Sequence, residues 1–193
     1  MKPGDTFVDV GANVGTYTLW AADLGARAIA VEPDPTARAL LCENLALNGY
    51  DIEVLPVALA DAQGTMRLTS GLDGANHLLV RGKAGVETQE VQVDTLDNVI
   101  GDRTIAGVKI DVEGAEALVL SGAQQALASQ RIRCLQLEWN EMSRVVRGHS
   151  RQELAQTLKS FGYRLYRPDS SGELRALDDP EDEGPDVFAR PAP

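Results

Sequence analysis

A chain of 193 residues, 44% hydrophobic and 24% charged, has the length and balance of one soluble globular domain with a sizeable core. A formal net charge of −11 argues against a polyanionic partner, so nucleic acid is excluded. No stretch is long and apolar enough to span a bilayer, Met1 to Asp5 is no signal peptide, and Cys42 and Cys134 are too few for a disulfide framework; a cytoplasmic setting away from the membrane is expected.

Phe7-Val8-Asp9-Val10 predicts a buried strand that breaks into the turn Gly11-Ala12-Asn13-Val14-Gly15 and opens a helix over about 14–24. A second strand follows at 28–32. Pro35 to Asn48 then predicts a helix, with Ala37, Leu41 and Leu45 on one buried stripe and Asn48-Gly49 as its stop. A third strand is expected at 52–57. Residues 64–69 and 89–96 alternate apolar and polar side chains, the mark of a two-stranded antiparallel insertion. The glycine-rich 70–88 between them reads as a surface loop, and the insertion as a whole occupies 62–96 of a single domain, 1–193.

The core pattern resumes with a strand at 105–111, a helix over about 115–128 and a strand at 132–138. Ser150 and Glu153 form a capping box ahead of Leu154, Leu158 and Phe161, with Gly162 as the stop. Strands at 163–166 and 187–190 close the chain, joined through a solvated acidic run, Asp178 to Glu183. This alternation implies an α/β fold: a mostly parallel, seven-stranded twisted sheet with helices on both faces. Ligands of such sheets sit outside the carboxyl ends of the strands. That rule gathers Asp9 to Gly15, Glu32, Asp61, Asp111 to Glu113 and Glu138 to Asn140.

The glycine turn lets a ligand approach the backbone closely, and Glu32 at the next strand end suits the two hydroxyls of a ribose. A dinucleotide site would want G-x-G-x-x-G, whose spacing fails here, and Asp9 would repel a diphosphate. An acidic rim suits a cationic nucleoside instead. S-adenosylmethionine, with its ammonium and sulfonium, is the expected cofactor.

The stretch Asp5 to Gly15, then Val31-Glu32-Pro33-Asp34-Pro35, then Lys109-Ile110-Asp111-Val112-Glu113-Gly114-Ala115-Glu116 with Leu120-Ser121-Gly122-Ala123, resembles the motif series of FkbM-type methyltransferases. Glu43 to Asn48, Pro56 to Asp61 and Asp94-Thr95-Leu96-Asp97 fit the same pattern in the same order. The resemblance implies a class I, Rossmann-like methyltransferase that uses S-adenosylmethionine to methylate a hydroxyl oxygen of a small molecule or glycan, such as a sugar or polyketide. It assigns Asp61 to adenine. Asp9, Gly11, Ala12, Asn13, Gly15, Glu32, Pro33 and Asp111 are the other expected cofactor contacts. Asp111, Glu113 and His77 are the candidates for orienting or deprotonating the acceptor hydroxyl.

Lys109 shares its strand face with Asp111 and is read as a structural partner for it. Trp139 is a candidate cation–π surface for the sulfonium or the acceptor. Asp111, Glu138 and Asn140 would suit a hard cation, but carboxylates at strand ends are common without one, and no metal is expected. Relatives generally carry more sequence before the first strand, so capping of the site is expected from the 70–88 and 140–150 loops or from a second subunit, unless this chain has been trimmed. A homodimer fits that expectation. The competing readings are an NAD(P)-dependent oxidoreductase and a non-catalytic binding module that keeps the fold without turnover.

Overall fold

The computed structural model describes residues 1–69, 78–79, 87–139, 150–181 and 186–192. Five parallel strands form the centre of the main sheet: β1 (Thr6–Val10), β2 (Arg27–Val31), β3 (Glu53–Leu55), β8 (Gly107–Ile110) and β9 (Leu135–Glu138). At one edge, β10 (Tyr163–Pro168), β11 (Leu174–Ala176) and β12 (Asp186–Pro191) pair antiparallel, giving the order β11-β10-β12-β9-β8-β1-β2-β3. The sheet therefore has eight strands rather than seven. The addition is the three-residue β11, too short and too exposed to leave a periodic signal.

Side chains alternate across this sheet and divide the core between its faces. Val8, Val10, Ile29, Val31 and Ile110 join the main cluster. That cluster packs under α4 (Glu116–Ser121), α5 (Gln124–Ala128) and α6 (Arg151–Ser160) through Val119, Leu120, Leu127, Leu154 and Leu158. Phe7, Ala28 and Ala30 face the other way, against α1 (Thr16–Asp23) and α2 (Pro35–Leu47), where Ala21, Leu41 and Leu45 are buried. Asp9 belongs to this second face and is fully buried under α1. The expected capping box of Ser150 and Glu153 is formed, with both reciprocal hydrogen bonds.

Several elements differ from the sequence expectation, each for a tertiary reason. The strand expected at 52–57 is shorter, and a separate strand follows it. Residues 53–55 join the main sheet, whereas β4 (Ala58–Leu59) pairs parallel with β7 (Thr88–Asp94) in a second sheet, order β4-β7-β5-β6, with β5 (Gly64–Thr69) and β6 (Leu78–Leu79). Leu78–Leu79 pairs antiparallel with Arg67–Leu68, so this part of the expected surface loop is strand, and Leu78 is buried. Residues 89–96 do not continue as strand to the end: Thr95 caps a short helix, α3 (Leu96–Ile100).

The single helix expected over 115–128 is two. A Cβ on Gly122 would lie 2.0 Å from the Ala60 carbonyl oxygen, so the backbones touch at the break between α4 and α5. Asp97 restores the capping lost there, its carboxylate accepting from the N–H groups of Gln125 and Ala126 at 2.8 Å each. Among the described residues, no helix is long and apolar enough to cross a membrane, and Cys42 and Cys134 are free thiols.

Gly122→Ala forces two backbones apart, and overpacking of this kind costs about 1–3 kcal/mol. The variant is expected to unfold at lower denaturant concentration than the wild type with an unchanged m-value, measured by chemical denaturation.

Candidate active site

A cavity of about 870 Å³ opens at the carboxyl ends of β1, β2, β8 and β9. Gly11 to Val14, Glu32 to Asp34, Lys109, Asp111, Glu113 and Glu138 line it, as do Leu68 and Leu78 from the second sheet. Of the expected site residues, the structure brings Gly11, Ala12, Asn13, Glu32, Pro33, Asp111 and Glu113 to this one space.

The glycine turn is built by close approach. A Cβ on Gly11 would fall 1.9 Å from the Asp111 carbonyl oxygen, and one on Gly15 would fall 2.4 Å from Leu41 Cδ1. The turn's donors are already engaged. The N–H groups of Gly11 and Ala12 donate to the Val31 carbonyl at 3.0 and 3.1 Å, and Asn13 N–H donates to Glu32 Oε2 at 2.7 Å. The turn therefore contributes shape rather than a cradle for phosphate oxygens. Glu32 Oε1 accepts from Asp34 N–H at 2.8 Å, so one buried carboxylate clips two loops together. Each carboxylate oxygen has a second lone pair, which remains for ribose hydroxyls. Burial pushes the Glu32 carboxyl up, and the two backbone N–H groups oppose that.

Asp34 caps α2 through Thr36 and Ala37, and its Oδ2 accepts from Gln89 Nε2 at 2.8 Å. The inserted sheet is thereby tied to the cavity rim.

Asp9 lies beneath the cavity rather than in its lining, accepting from the Thr18 hydroxyl at 2.6 Å. Lys109 Nζ sits 3.8 Å from Asp9 Oδ1, 3.1 Å from Asp111 Oδ2 and 4.8 Å above the Tyr17 ring. Burial alone would push the Lys109 ammonium down, but the two carboxylates outweigh it and hold the group charged. Burial pushes the Asp9 carboxyl up against the pull of Lys109 and Thr18.

Beside Lys109 three carboxylates converge. One oxygen from each of Asp111, Glu113 and Glu138 lies within 4.8 Å of the others. Glu113 reaches the cluster from a left-handed backbone, φ 51°, followed by Gly114 at φ 96°. A non-glycine residue in that region is strained, and Glu116, buried in the core, steadies the turn by accepting from Gly114 N–H at 3.0 Å. Burial, then the charges of Asp111 and Glu116, push the Glu113 carboxyl up. Burial, then Asp111 and Glu113, push Glu138 up to about 8. Its Oε2 is buried and accepts no hydrogen bond.

Of the other described expectations, Asp9 and Gly15 support the turn without lining the cavity, and Asp61 and Trp139 lie away from it. Asp61 is exposed and lines a separate shallow groove with Thr95, Asp97 and Asn98. Trp139 is buried in the core, its Nε1 donating to the Pro180 carbonyl at 2.9 Å, so it presents no cation–π surface to a ligand. His77 and Asn140 lie outside the described residues. Tyr17, not among the expected site residues, also lines the cavity, its hydroxyl accepting from Gln136 Nε2 at 3.0 Å. Its position two residues after Gly15 was the available signal.

The Methyltransferase FkbM domain matches residues 9–165 of this chain. The chain belongs to the FkbM methyltransferase family. It is 30% identical over 161 residues to the 31-O-demethyl-FK506 methyltransferase FkbM of Streptomyces tacrolimicus, an alignment covering 65% of this chain and 62% of that protein. It is also 30% identical over 161 residues to methyltransferase sdnD of Sordaria araneosa, covering 64% of this chain and 62% of that one. The match thus spans under two thirds of these relatives.

Among solved structures, an rRNA methylase from Streptococcus thermophilus aligns with TM-score 0.55 and 14% identity over 98% of this chain and 86% of its own. SMU.1697c of Streptococcus mutans, solved in complex with SAH, aligns with TM-score 0.52 and 11% identity over 98% and 90%. These likenesses place the fold among class I methyltransferases. Family and fold together assign S-adenosylmethionine as the cofactor of this FkbM-family chain. The cavity fits that group. Five lining carboxylates against Lys109 suit a ligand bearing ammonium, sulfonium and ribose hydroxyls.

The raised Glu138 has a consequence for stability. A carboxyl moved from an ordinary 4.5 to about 8 stabilises the fold below 4.5, and that contribution is lost as pH rises through about 8. Glu138→Gln is therefore expected to raise the Tm more at pH 9 than at pH 5, measured by thermal melts at both.

Proposed function

We propose that this chain methylates a hydroxyl oxygen of a small molecule, with a sugar or polyketide-type metabolite as the acceptor class. The observation that carries the reading is one cavity holding both the Gly11 to Gly15 turn with Glu32 and, at its other strand ends, the carboxylates of Asp111, Glu113 and Glu138. A relative named as a 31-O-demethyl-FK506 methyltransferase supports the choice of oxygen over nitrogen. When bound, S-adenosylmethionine supplies an electrophilic methyl group whose carbon–sulfur bond breaks with its electron pair on sulfur.

Glu32 binds the ribose, and Ala12, Asn13 and Pro33 shape the surrounding wall. Asp9 acts through Thr18 and Lys109, supporting the turn from below. Asp111 and Glu113 orient the acceptor hydroxyl and polarise its O–H bond as the methyl moves. The remainder of the acceleration comes from holding acceptor oxygen and methyl carbon in line. Asp61, exposed in its own groove, is left out of the cofactor contacts proposed for this cavity.

Titration calorimetry is expected to detect S-adenosylmethionine and S-adenosylhomocysteine and no NAD⁺; the reverse preference would sink the reading. Loss of two hydrogen bonds to a charged group, about 1.5–3 kcal/mol each, makes Glu32→Ala weaken both sulfur nucleosides at least about 100-fold. Transfer of a labelled methyl group from S-adenosylmethionine to a panel of sugars, polyols and macrolide alcohols, with amines beside them, then tests the acceptor class. Label appearing only on amines would overturn oxygen as the acceptor atom.

A further inference from the structure

The three carboxylates of the cavity are not equivalent. Asp111 is committed to Lys109 Nζ at 3.1 Å. Glu113 is held on its strained turn by the hydrogen bond from Gly114 N–H to Glu116. Glu138 lines the same cavity, makes no ion pair among the described residues, and keeps Oε2 buried without a hydrogen bond. With oxygens within 4.8 Å of one another and Lys109 the one ammonium against them among the described residues, the three carboxyl groups disfavour one another's ionisation. Among the described residues neither Glu113 nor Glu138 has a cation of its own, and of the three only Glu138 keeps a buried oxygen without a hydrogen bond.

We propose that Glu138 takes the proton of the acceptor hydroxyl, and that the charge on the cofactor's sulfur decides whether Glu138 is ionised. The inference rests on the methyl-transfer reading of this cavity. A protonated carboxyl is no base, so Glu138 must lose its proton before it can receive one. A cationic sulfonium in the cavity favours the carboxylate, and a neutral thioether does not.

The charges then balance across the reaction. The acceptor's O–H bond breaks with its electron pair on oxygen, and oxygen forms the new bond to the methyl carbon. The carbon–sulfur pair stays on sulfur, and the proton comes to rest on Glu138. The cavity loses the sulfonium charge and gains a proton in its place.

An upward displacement of Glu138 to about 8 accords with this assignment. The charged and titratable groups around it are Asp111 and Lys109 from β8, Glu113 from the following turn, Glu116 from α4, Asp186 directly opposite on β12, and Tyr17 from α1. Of these, Glu113 and Asp186 are also pushed up by burial, so variants must separate them from Glu138.

By linkage, S-adenosylmethionine binding expels the Glu138 proton below pH 8, and its affinity rises with pH by up to tenfold per unit there. Binding of S-adenosylhomocysteine leaves that proton in place. The test is titration calorimetry of the whole chain at pH 7 in two buffers of different ionisation enthalpy. The difference between wild type and Glu138→Gln removes any proton exchanged by the ligand's own amino group. The wild type is expected to release nearly one proton more than Glu138→Gln on binding S-adenosylmethionine, and none more on binding S-adenosylhomocysteine. Glu113→Gln and Asp186→Asn are expected to keep the release.

An infrared difference spectrum of the wild type alone reads the same proton if the variant does not fold. The protonated-carboxyl band is expected to fall with S-adenosylmethionine and to hold with S-adenosylhomocysteine. Equal release for both ligands, release that survives in Glu138→Gln, or release abolished by added magnesium chloride would each overturn the proposal. No binding of either ligand would remove the cofactor assignment itself and this proposal with it.

Discussion

At the heart of the site two strand ends press together with no room for a methyl group between them. Gly11 leaves β1 where the backbone of Asp111 leaves β8, at a distance that any Cβ would violate. That contact sets how far apart the cofactor turn and the Asp111 carboxylate stand. It also explains why the turn begins at a glycine in a left-handed conformation, φ 78°. Everything that lines the cavity is arranged about this junction. Glu32 clips the turn to the start of α2, and Asn44 on α2 donates back to the Val14 carbonyl at 2.8 Å.

Beneath the junction the electrostatics are organised about one cation. Lys109 is buried, and a buried ammonium persists only with carboxylates against it. Asp9 and Asp111 supply them from opposite sides of the sheet end. The same arrangement leaves Glu138 and Glu113 to crowd a cluster whose one cation among the described residues, Lys109, is already paired. A cationic ligand relieves that crowding, whereas a diphosphate would worsen it. The engaged N–H groups of Gly11, Ala12 and Asn13 point to the same conclusion from the side of the donors.

The second sheet is more than an appendage to the core. Its small apolar cluster of Leu68, Leu78, Val91 and Val93 packs on Ala115 and Val112, beside the acidic turn. Leu68 and Leu78 complete the cavity wall, and Gln89 holds Asp34 at the rim. The insertion thus closes part of the cavity wall from outside the Rossmann-like scaffold.

Local signals were enough for much of this. Apolar runs marked the strands of the parallel sheet, a glycine turn followed by Glu32 marked the cofactor end, and Ser150 with Glu153 marked the start of the last helix. Such features act over a few residues, where backbone geometry and capping chemistry leave little choice. Contacts distant in the chain decided the rest. Gly122 breaks a helix because it meets Ala60, Leu78 becomes strand because Leu68 is there to pair with it, and Trp139 turns into the core toward Pro180. Asp61 and Glu138 read alike in sequence as strand-end carboxylates. Only the packing of β9 beside β8 put Glu138 against Asp111 and left Asp61 in a separate groove, because proximity between strand ends is a property of sheet order and not of spacing along the chain.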